Sequence, residues 1–269
     1  MLKKKMFIGG EWVEAISGET RSIENPYDSG QVAEVSEGGR EDAKKAIEEA
    51  RSAFDKGWGQ TERKERQELL LKLAELIKRD KEELAELETL NTGKTLEESR
   101  WDMDDIFNIF QFYGKLLDKD FIETVKSPIA DSTSQVVKEP IGVCGQISPW
   151  NYPLLQASWK MAPALAAGCS IIMKPSELTP LTTIKVTELA VEAGYPSGVV
   201  NTVLGPGHTV GAELAENHAV DLISFTGGSI TGRKIMNAAS GNIKKVALEL
   251  GGKNPHIIFE DADFDVAVD

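Results

Sequence analysis

Toward the end of this 269-residue chain, the run VALELGGKNP (246–255) sets one carboxylate, Glu249, inside an apolar segment and follows it with two glycines. A carboxylate at the mouth of a strand is desolvated at some cost, so either a structural partner satisfies it or its raised proton affinity serves chemistry. Three other segments carry residue types suited to a site. In SPWNYP (148–153) two prolines frame a turn that presents Trp150, Asn151 and Tyr152. Asn151 is either turn chemistry or a carboxamide that donates to a developing oxyanion, a role worth about 2.7–4 kcal/mol in other enzymes. In KPSE (174–177), Lys174 and Glu177 form either a solvated ion pair or a pair of groups that hydrogen-bond a ribose diol. In TGGSITGR (226–233), Thr226, Gly227, Gly228 and Gly232 open a helix. Backbone amides at such a start receive pyrophosphate, because the helix dipole and the missing Cβ both help. A second cluster, Gly205, Gly207 and Gly211, is one residue too long for the G-x-G-x-x-G spacing and says little alone. Two glycine-rich helix starts together with a ribose-reading pair point to a dinucleotide.

These residues need a framework at fixed positions. From residue 141, β-branched runs (IGVCGQI, SIIMKP, VVNTVL, DLISF, KKVALEL) alternate with helical stretches at 154–167, 182–192 and 210–216. That alternation predicts α/β architecture: a doubly wound, Rossmann-like parallel sheet with right-handed crossovers, whose ligands bind beyond the carboxyl ends of the strands. Residues 1–120 read as a helical region after a short N-terminal hairpin. Ala43, Ala46, Ile47, Ala50 and Phe54 keep a 3.6-residue period, as do Leu70, Leu73, Ala74 and Ile77. Asp80 is placed to cap a helix running through Leu87 and Leu90, with Gly93 as its stop. Residues 121–140 lose helical periodicity, contain Pro128 and Pro140, and read as an extended excursion suited to association. Residues 141–252 then form the nucleotide-binding part and 253–269 the start of a further domain.

Forty-three acidic against thirty basic residues give a formal charge of −13, which disfavours nucleic acid and anionic lipid as partners. The N-terminus lacks the apolar core of a signal peptide and no run approaches eighteen apolar residues, so the expected address is cytoplasmic, with no membrane partner. Cys144 and Cys169 lie in apolar strand-like runs without metal-type spacing and read as small core residues.

Taken in order and at these separations, PWNYPL, KPSELTP, FTGG and LELGGKNP, with GGEWVE and IENPYDSG ahead of them, resemble the NAD(P)-dependent aldehyde dehydrogenase superfamily over the whole chain. The resemblance implies a cysteine thiolate that attacks a small aldehyde, an Asn that holds the oxyanion of the thiohemiacetal, hydride transfer to NAD with NADP as the lesser possibility, and a Glu that activates water. It assigns Asn151 and Glu249 to those two roles and Lys160 to a proton relay. It assigns Lys174 and Glu177 to the ribose, Trp150 with Gly227, Gly228, Ser229, Thr231 and Gly232 to the phosphate region, and Leu250 and Gly251 to the nicotinamide side. Ile147, Pro149, Asn151, Ser176, Gly207, Gly211, Phe225 and Thr226 complete the expected cofactor contacts. NYPLLQASWK resembles the betaine aldehyde dehydrogenase branch, in which Tyr152 and Trp159 would flank a trimethylammonium group; the same pair, seven apart, also suits helix packing.

Three departures matter. FTGG replaces the usual FTGS, so Gly228 keeps only a backbone donor. Asn91 stands where relatives often carry Asp at a monovalent-cation site, so no metal is assigned. The family's nucleophile lies further beyond the ELGGK glutamate than the twenty residues that follow Glu249, and neither Cys144 nor Cys169 sits in its motif. The expectation is therefore an N-terminal portion of a homo-oligomeric enzyme, without its nucleophile and inert alone. The alternatives are a non-catalytic dinucleotide-binding or structural fragment and, disfavoured by Glu249, an acylating dehydrogenase.

Overall fold

The computed structural model describes residues 2–119 and 121–268. The N-terminal segment holds more than a hairpin: it forms β1 (Leu2–Lys4), β2 (Met6–Ile8), β3 (Glu11–Val13), β4 (Thr20–Glu24) and β5 (Gln31–Ser36). β1, β5 and β4 make a separate three-stranded sheet, while β2 and β3 extend the main sheet through an antiparallel pair with a later strand. Strands of three to six residues are too short to show a period, and the sequence reading missed most of them.

The helices follow their apolar stripes. In α1 (Arg40–Asp55) Ala43, Ala46, Ile47 and Ala50 are buried, and in α2 (Arg63–Arg79) Leu70, Leu73, Ala74 and Ile77. α3 (Lys81–Thr92) starts at Asp80 and ends at Gly93 in a left-handed conformation. The Asp80 carboxylate does not cap it, because Arg79 takes that carboxylate at 2.6 Å. The buried stripe of α3 is Leu84, Ala85, Glu88 and Asn91, whereas Leu90 is exposed. α4 (Leu96–Leu116) is capped by the Thr95 hydroxyl, which accepts from the Glu98 amide. A two-stranded antiparallel ribbon, β6 (Ile122–Val125) with β7 (Ser134–Val137), occupies the segment read as an excursion.

The alternation then runs β8 (Val143–Ile147), α5 (Pro153–Ala167), β9 (Ser170–Lys174), α6 (Leu181–Ala193), β10 (Val200–Thr202), α7 (Ala212–Glu216), β11 (Leu222–Gly227), α8 (Ser229–Ala239) and β12 (Lys245–Leu250), with a short α9 (Phe264–Val268) after them. The main sheet has the order β12-β11-β8-β9-β10-β2-β3, its first five strands parallel. Both faces of its centre are covered. Cys144, Ile171 and Met173 pack toward α2, α4 and α5, and Val143, Ile147 and Ile172 toward α1 and α7. That is why these strands read as continuous apolar runs rather than alternating ones. Both cysteines belong to this core, each 2 % exposed.

Glu88 is the polar exception in the helical layer. It accepts from Thr182 Oγ1 of α6 (2.6 Å) and from the Leu154 amide at the start of α5 (3.4 Å). Burial pushes its carboxyl up to about 7, against the pull of the Thr182 bond and of Lys94. In the unfolded chain the group titrates near 4.5, so the folded state holds the extra proton between those values and stability falls as pH rises through the window. Glu88→Gln is therefore expected to gain on the wild type by on the order of 1–3 kcal/mol between about pH 5 and about pH 8. Urea unfolding at both values checks this, and a pH-independent gap would show a carboxylate that stays ionised.

Candidate functional site

The segments singled out in the sequence lie side by side because the parallel ladder aligns the ends of its strands. Ile147 at the end of β8 is the register partner of Lys174 on one side and of Phe225 on the other. The loops SPWNYP, KPSE and TGGS therefore leave the same end of the sheet. The chain lays down β8, β9 and β10 in one direction and then returns to the other flank of β8 for β11 and β12. The reversal falls between β8 and β11, where such sheets open a crevice for a ligand.

In that crevice α5 delivers Lys160 to β11. Its ammonium donates to Thr226 Oγ1 at 2.6 Å, and the Thr226 hydroxyl in turn reaches Gln156 Oε1 at 3.3 Å. Burial lowers Lys160 to about 8, and the nearby Glu249 carboxylate works against that shift. Glu249 is the register partner of Thr226, so Lys160, Thr226 and Glu249 form one group. The desolvation expected of Glu249 is not met within this chain: β12 is the edge strand of the sheet and Glu249 is exposed.

Asn151 leaves β8 exposed, one residue after the exposed Trp150. It lines a cleft of about 700 Å³ together with Tyr152, Leu155, Gln156 and Trp159 of the α5 segment and Thr95, Glu98, Trp101, Asp102 and Asp105 of the α4 segment. The Tyr152 hydroxyl donates to Glu98 Oε1 at 3.0 Å. The Lys94 ammonium sits 3.9 Å from the Tyr152 ring centre and pairs with Asp102 at 2.5 Å. Tyr152 and Trp159 thus share a cleft wall, and one face of the Tyr152 ring already carries a cation.

Lys174 and Glu177 are not a solvated pair. Lys174 is 2 % exposed; its ammonium donates to the Pro175 carbonyl at 2.8 Å and to Glu177 Oε2 at 3.2 Å. Burial lowers its pKa. Burial works the other way on the half-buried Glu177, but Lys174 prevails and holds that carboxyl below its usual range. Ser176 Oγ accepts from the Leu178 amide at 3.3 Å.

The remaining predicted contacts divide. Gly228 opens α8, and nothing lies within 4 Å of where its Cβ would stand, so the backbone there is approachable; Ser229, Thr231 and Gly232 follow in the first turn. Gly232 packs against Leu250, whose side chain would lie 2.7 Å from an added Cβ, and Gly251 is open. Gly227 covers the Phe225 ring, which leaves Phe225 in the core beneath the crevice. Gly207–Gly211 is one π-helical turn ahead of α7, with Gly211 packed near Ile147 and Lys174. Gly205 belongs to the packing instead: φ is +134° and an added Cβ would lie 2.2 Å from the Gly38 carbonyl. Pro149 is half-buried between β8 and Trp150.

A dinucleotide fits this donor set. An ammonium has three N–H groups, of which Lys174 commits two, leaving one for a ribose hydroxyl, while Glu177 offers an acceptor. The α8 start supplies amides for phosphate. Asn91 donates to the Leu178 carbonyl and accepts from the Leu181 amide, and no His, Cys, Asp and Glu cluster able to hold a metal occurs among the described residues. Sequence reasoning missed Gln156, Glu98 and the α4 carboxylates; Trp101, Asp102 and Asp105 fall within one helical turn, a pattern that reads as solvated surface until α5 is placed opposite.

The profile described as "Aldehyde dehydrogenase family" matches residues 12–269. A betaine aldehyde dehydrogenase of Bacillus subtilis (strain 168) is 66 % identical over 269 residues, covering all of this chain and 55 % of that protein. The peroxisomal aminoaldehyde dehydrogenase 2 of Malus domestica is 43 % identical over 99 % of this chain and 54 % of its own length. A crystal structure of betaine aldehyde dehydrogenase from Staphylococcus aureus in complex with NAD+ superposes with a TM-score of 0.97 at 56 % identity, over 99 % of this chain and 53 % of that one. The chain spans about half the length of the curated relatives it matches.

The Lys160–Thr226 bond yields a measurable expectation. Thr226→Val keeps the shape but strips a buried ammonium of its acceptor, so it should cost about 1–3 kcal/mol at neutral pH. The loss should shrink near pH 10, above the Lys160 value of about 8, where the amine is neutral. Thr226→Ser should cost little. Urea unfolding at both pH values measures this; an equal loss at both would assign it to packing.

Proposed function

Since this chain belongs to the aldehyde dehydrogenase family, we propose that it supplies the dinucleotide site, the oxyanion carboxamide and the general base for oxidation of a cationic aldehyde, betaine aldehyde or a relative, to its carboxylic acid. The observation that carries this reading is the convergence of Asn151, the Lys160–Thr226–Glu249 group and the Lys174–Glu177 pair at one end of one parallel sheet. NAD, when bound, supplies the hydride acceptor. Lys174 and Glu177 hold its ribose, and the α8 start with Gly228 takes its phosphates. The Asn151 carboxamide donates to the oxygen of the aldehyde as charge gathers there. Glu249 takes a proton from water; Lys160, lowered to about 8, first gives up an ammonium proton toward solvent and can then accept the one Glu249 holds.

The cleft beside Asn151 supports the substrate class. Its walls combine Trp101, Tyr152 and Trp159 with the carboxylates of Glu98 and Asp105, beside an Asp102 already paired with Lys94, a setting that favours an ammonium group. Betaine aldehyde and aminoaldehydes, the substrates in the relatives' names, share that charge. Because Lys94 covers one face of Tyr152, the carboxylates contribute more of the attraction than the ring does.

We assign the nucleophilic cysteine to the half of the relatives' length that this chain does not span. Cys144 lies in β8 about 10 Å of strand from the site end, Cys169 just ahead of β9 about 17 Å from it, and both are buried. A hydrogen bond between the free Cys144 and Cys169 thiols and burial push the Cys144 thiol far above its ordinary range. Taken alone the chain is then a dinucleotide-binding module. We assign residues 1–120 and 141–252 to that module, 121–140 to oligomer contacts, and 253–269 to the start of the catalytic domain. The ribbon's exposed Ile129, Val136 and Val137 suit a homo-oligomer. No helix among the described residues is long and apolar enough to cross a membrane.

Glu177 accepts from a free 2′-hydroxyl and repels a 2′-phosphate, so NAD is expected to bind about tenfold or more tighter than NADP. Titration with both nucleotides checks this, and Glu177→Gln should narrow the difference; tighter NADP binding sinks the assignment. The chain alone should produce no NADH from betaine aldehyde. Joined to the C-terminal remainder of the Bacillus subtilis relative, it should, and Glu249→Gln in that protein should slow steady turnover by about 10²- to 10⁴-fold while sparing the first hydride burst. Aldehyde oxidation by the chain alone that Cys144→Ser or Cys169→Ser abolishes would overturn the placement of the nucleophile.

A further inference from the structure

The corner beside Glu177 is built partly by the N-terminal sheet. Arg21 of β4 and Glu37, just past β5, form a two-point ion pair: Arg21 Nε donates to Glu37 Oε2 at 2.7 Å and Nη2 donates to Oε1. With Val35 they line one crevice together with Pro175, Ser176 and Glu177. Arg21 also faces the adjoining cleft that holds Trp150, Glu177 and Leu178. The charges are close enough to be felt across the corner: Lys174 senses both Glu37 and Arg21, and Arg21 senses Glu177. No role in the ribose reading calls for this pair.

We propose that the Arg21–Glu37 ion pair is a second determinant of cofactor choice, acting on the 2′ position of the adenosine ribose; this rests on the reading of Lys174 and Glu177 as the ribose site. A 2′-phosphate placed there meets two carboxylates, Glu177 and Glu37, while the one guanidinium able to grip it in fork geometry is already occupied by Glu37. A 2′-hydroxyl is indifferent to the pair, since it needs one acceptor, which Glu177 provides. Glu37 thus works twice, as a repelling charge and as the group that keeps Arg21 from a phosphate. Arg21 in turn limits how strongly Glu37 repels. Arg21 is partly exposed and Glu37 mostly covered, so the fold of each variant is checked alongside its binding.

The test is a cycle of variants of the 269-residue chain, read by equilibrium titration with NAD and with NADP at low and high salt. Glu37→Gln frees Arg21 and should strengthen NADP binding about tenfold or more, with NAD changed less than about threefold and the gain fading in high salt. Arg21→Gln leaves Glu37 uncompensated and should weaken NADP further. The double variant Arg21→Gln with Glu37→Gln should return near the wild-type ratio. If the wild type binds NAD and neither single variant shifts the NADP to NAD ratio, the pair has no such role and the ribose site stands. If Glu37→Gln unfolds, Arg21→Gln decides alone, an unchanged ratio overturning the proposal. If the wild type binds neither nucleotide, the ribose reading falls and this inference falls with it.

Discussion

A β-ladder repeats every two residues, so sliding β11 by one position against β8 or β12 would turn Thr226 away from Lys160 and part it from Glu249. The site depends on that register. It is fixed from below by the core, where Ile223 and Phe225 of β11 must face the apolar layer shared with Ile147 and Val210. Burial of one face of the strand therefore decides which polar residues reach the crevice. The same logic carries along the sheet to β9, where Ile172 faces the core and Lys174 emerges at the end.

Around this ladder the buried charges are tied down in pairs or by hydrogen bonds, as burial requires. Lys94 has Asp102 and the Tyr152 ring, Lys174 has Glu177 and a carbonyl, and Lys160 has Thr226. Glu88 links α3 to the starts of α5 and α6 through two donors. α5 enters several of these contacts: its N-terminal end rests on Glu88, its first turns border the cleft beside Asn151, and its middle presents Lys160. Helix packing on one side of the sheet thereby sets distances in the crevice at its strand ends.

The sequence made the parallel α/β layer legible because its strands are apolar runs closed by Gly, Pro and Ser, and its helices carry clean stripes. The residues at the strand ends were legible for the same reason: a strand's end fixes what comes next. The α4 carboxylates and the Arg21–Glu37 pair were not, since each reaches the corner from a distant stretch of chain and reads locally as surface. The Glu249 environment was misjudged because desolvation depends on what lies over an edge strand, which local sequence does not state. The Lys174–Glu177 pair was open between two readings until burial of the lysine excluded the solvated one.

Cys144 and Cys169 are the chain's two sulfhydryls, and both are sealed in the sheet core. Maleimide and iodoacetamide reagents need a reachable thiolate, so the folded chain presents an unreactive background to them. A cysteine engineered at an exposed position such as Ile230 on α8 would stand as the sole labelling point on the surface. A fluorophore or nitroxide there would report on the surroundings of the α8 start without interference from native sulfur, which makes this fold convenient for distance spectroscopy.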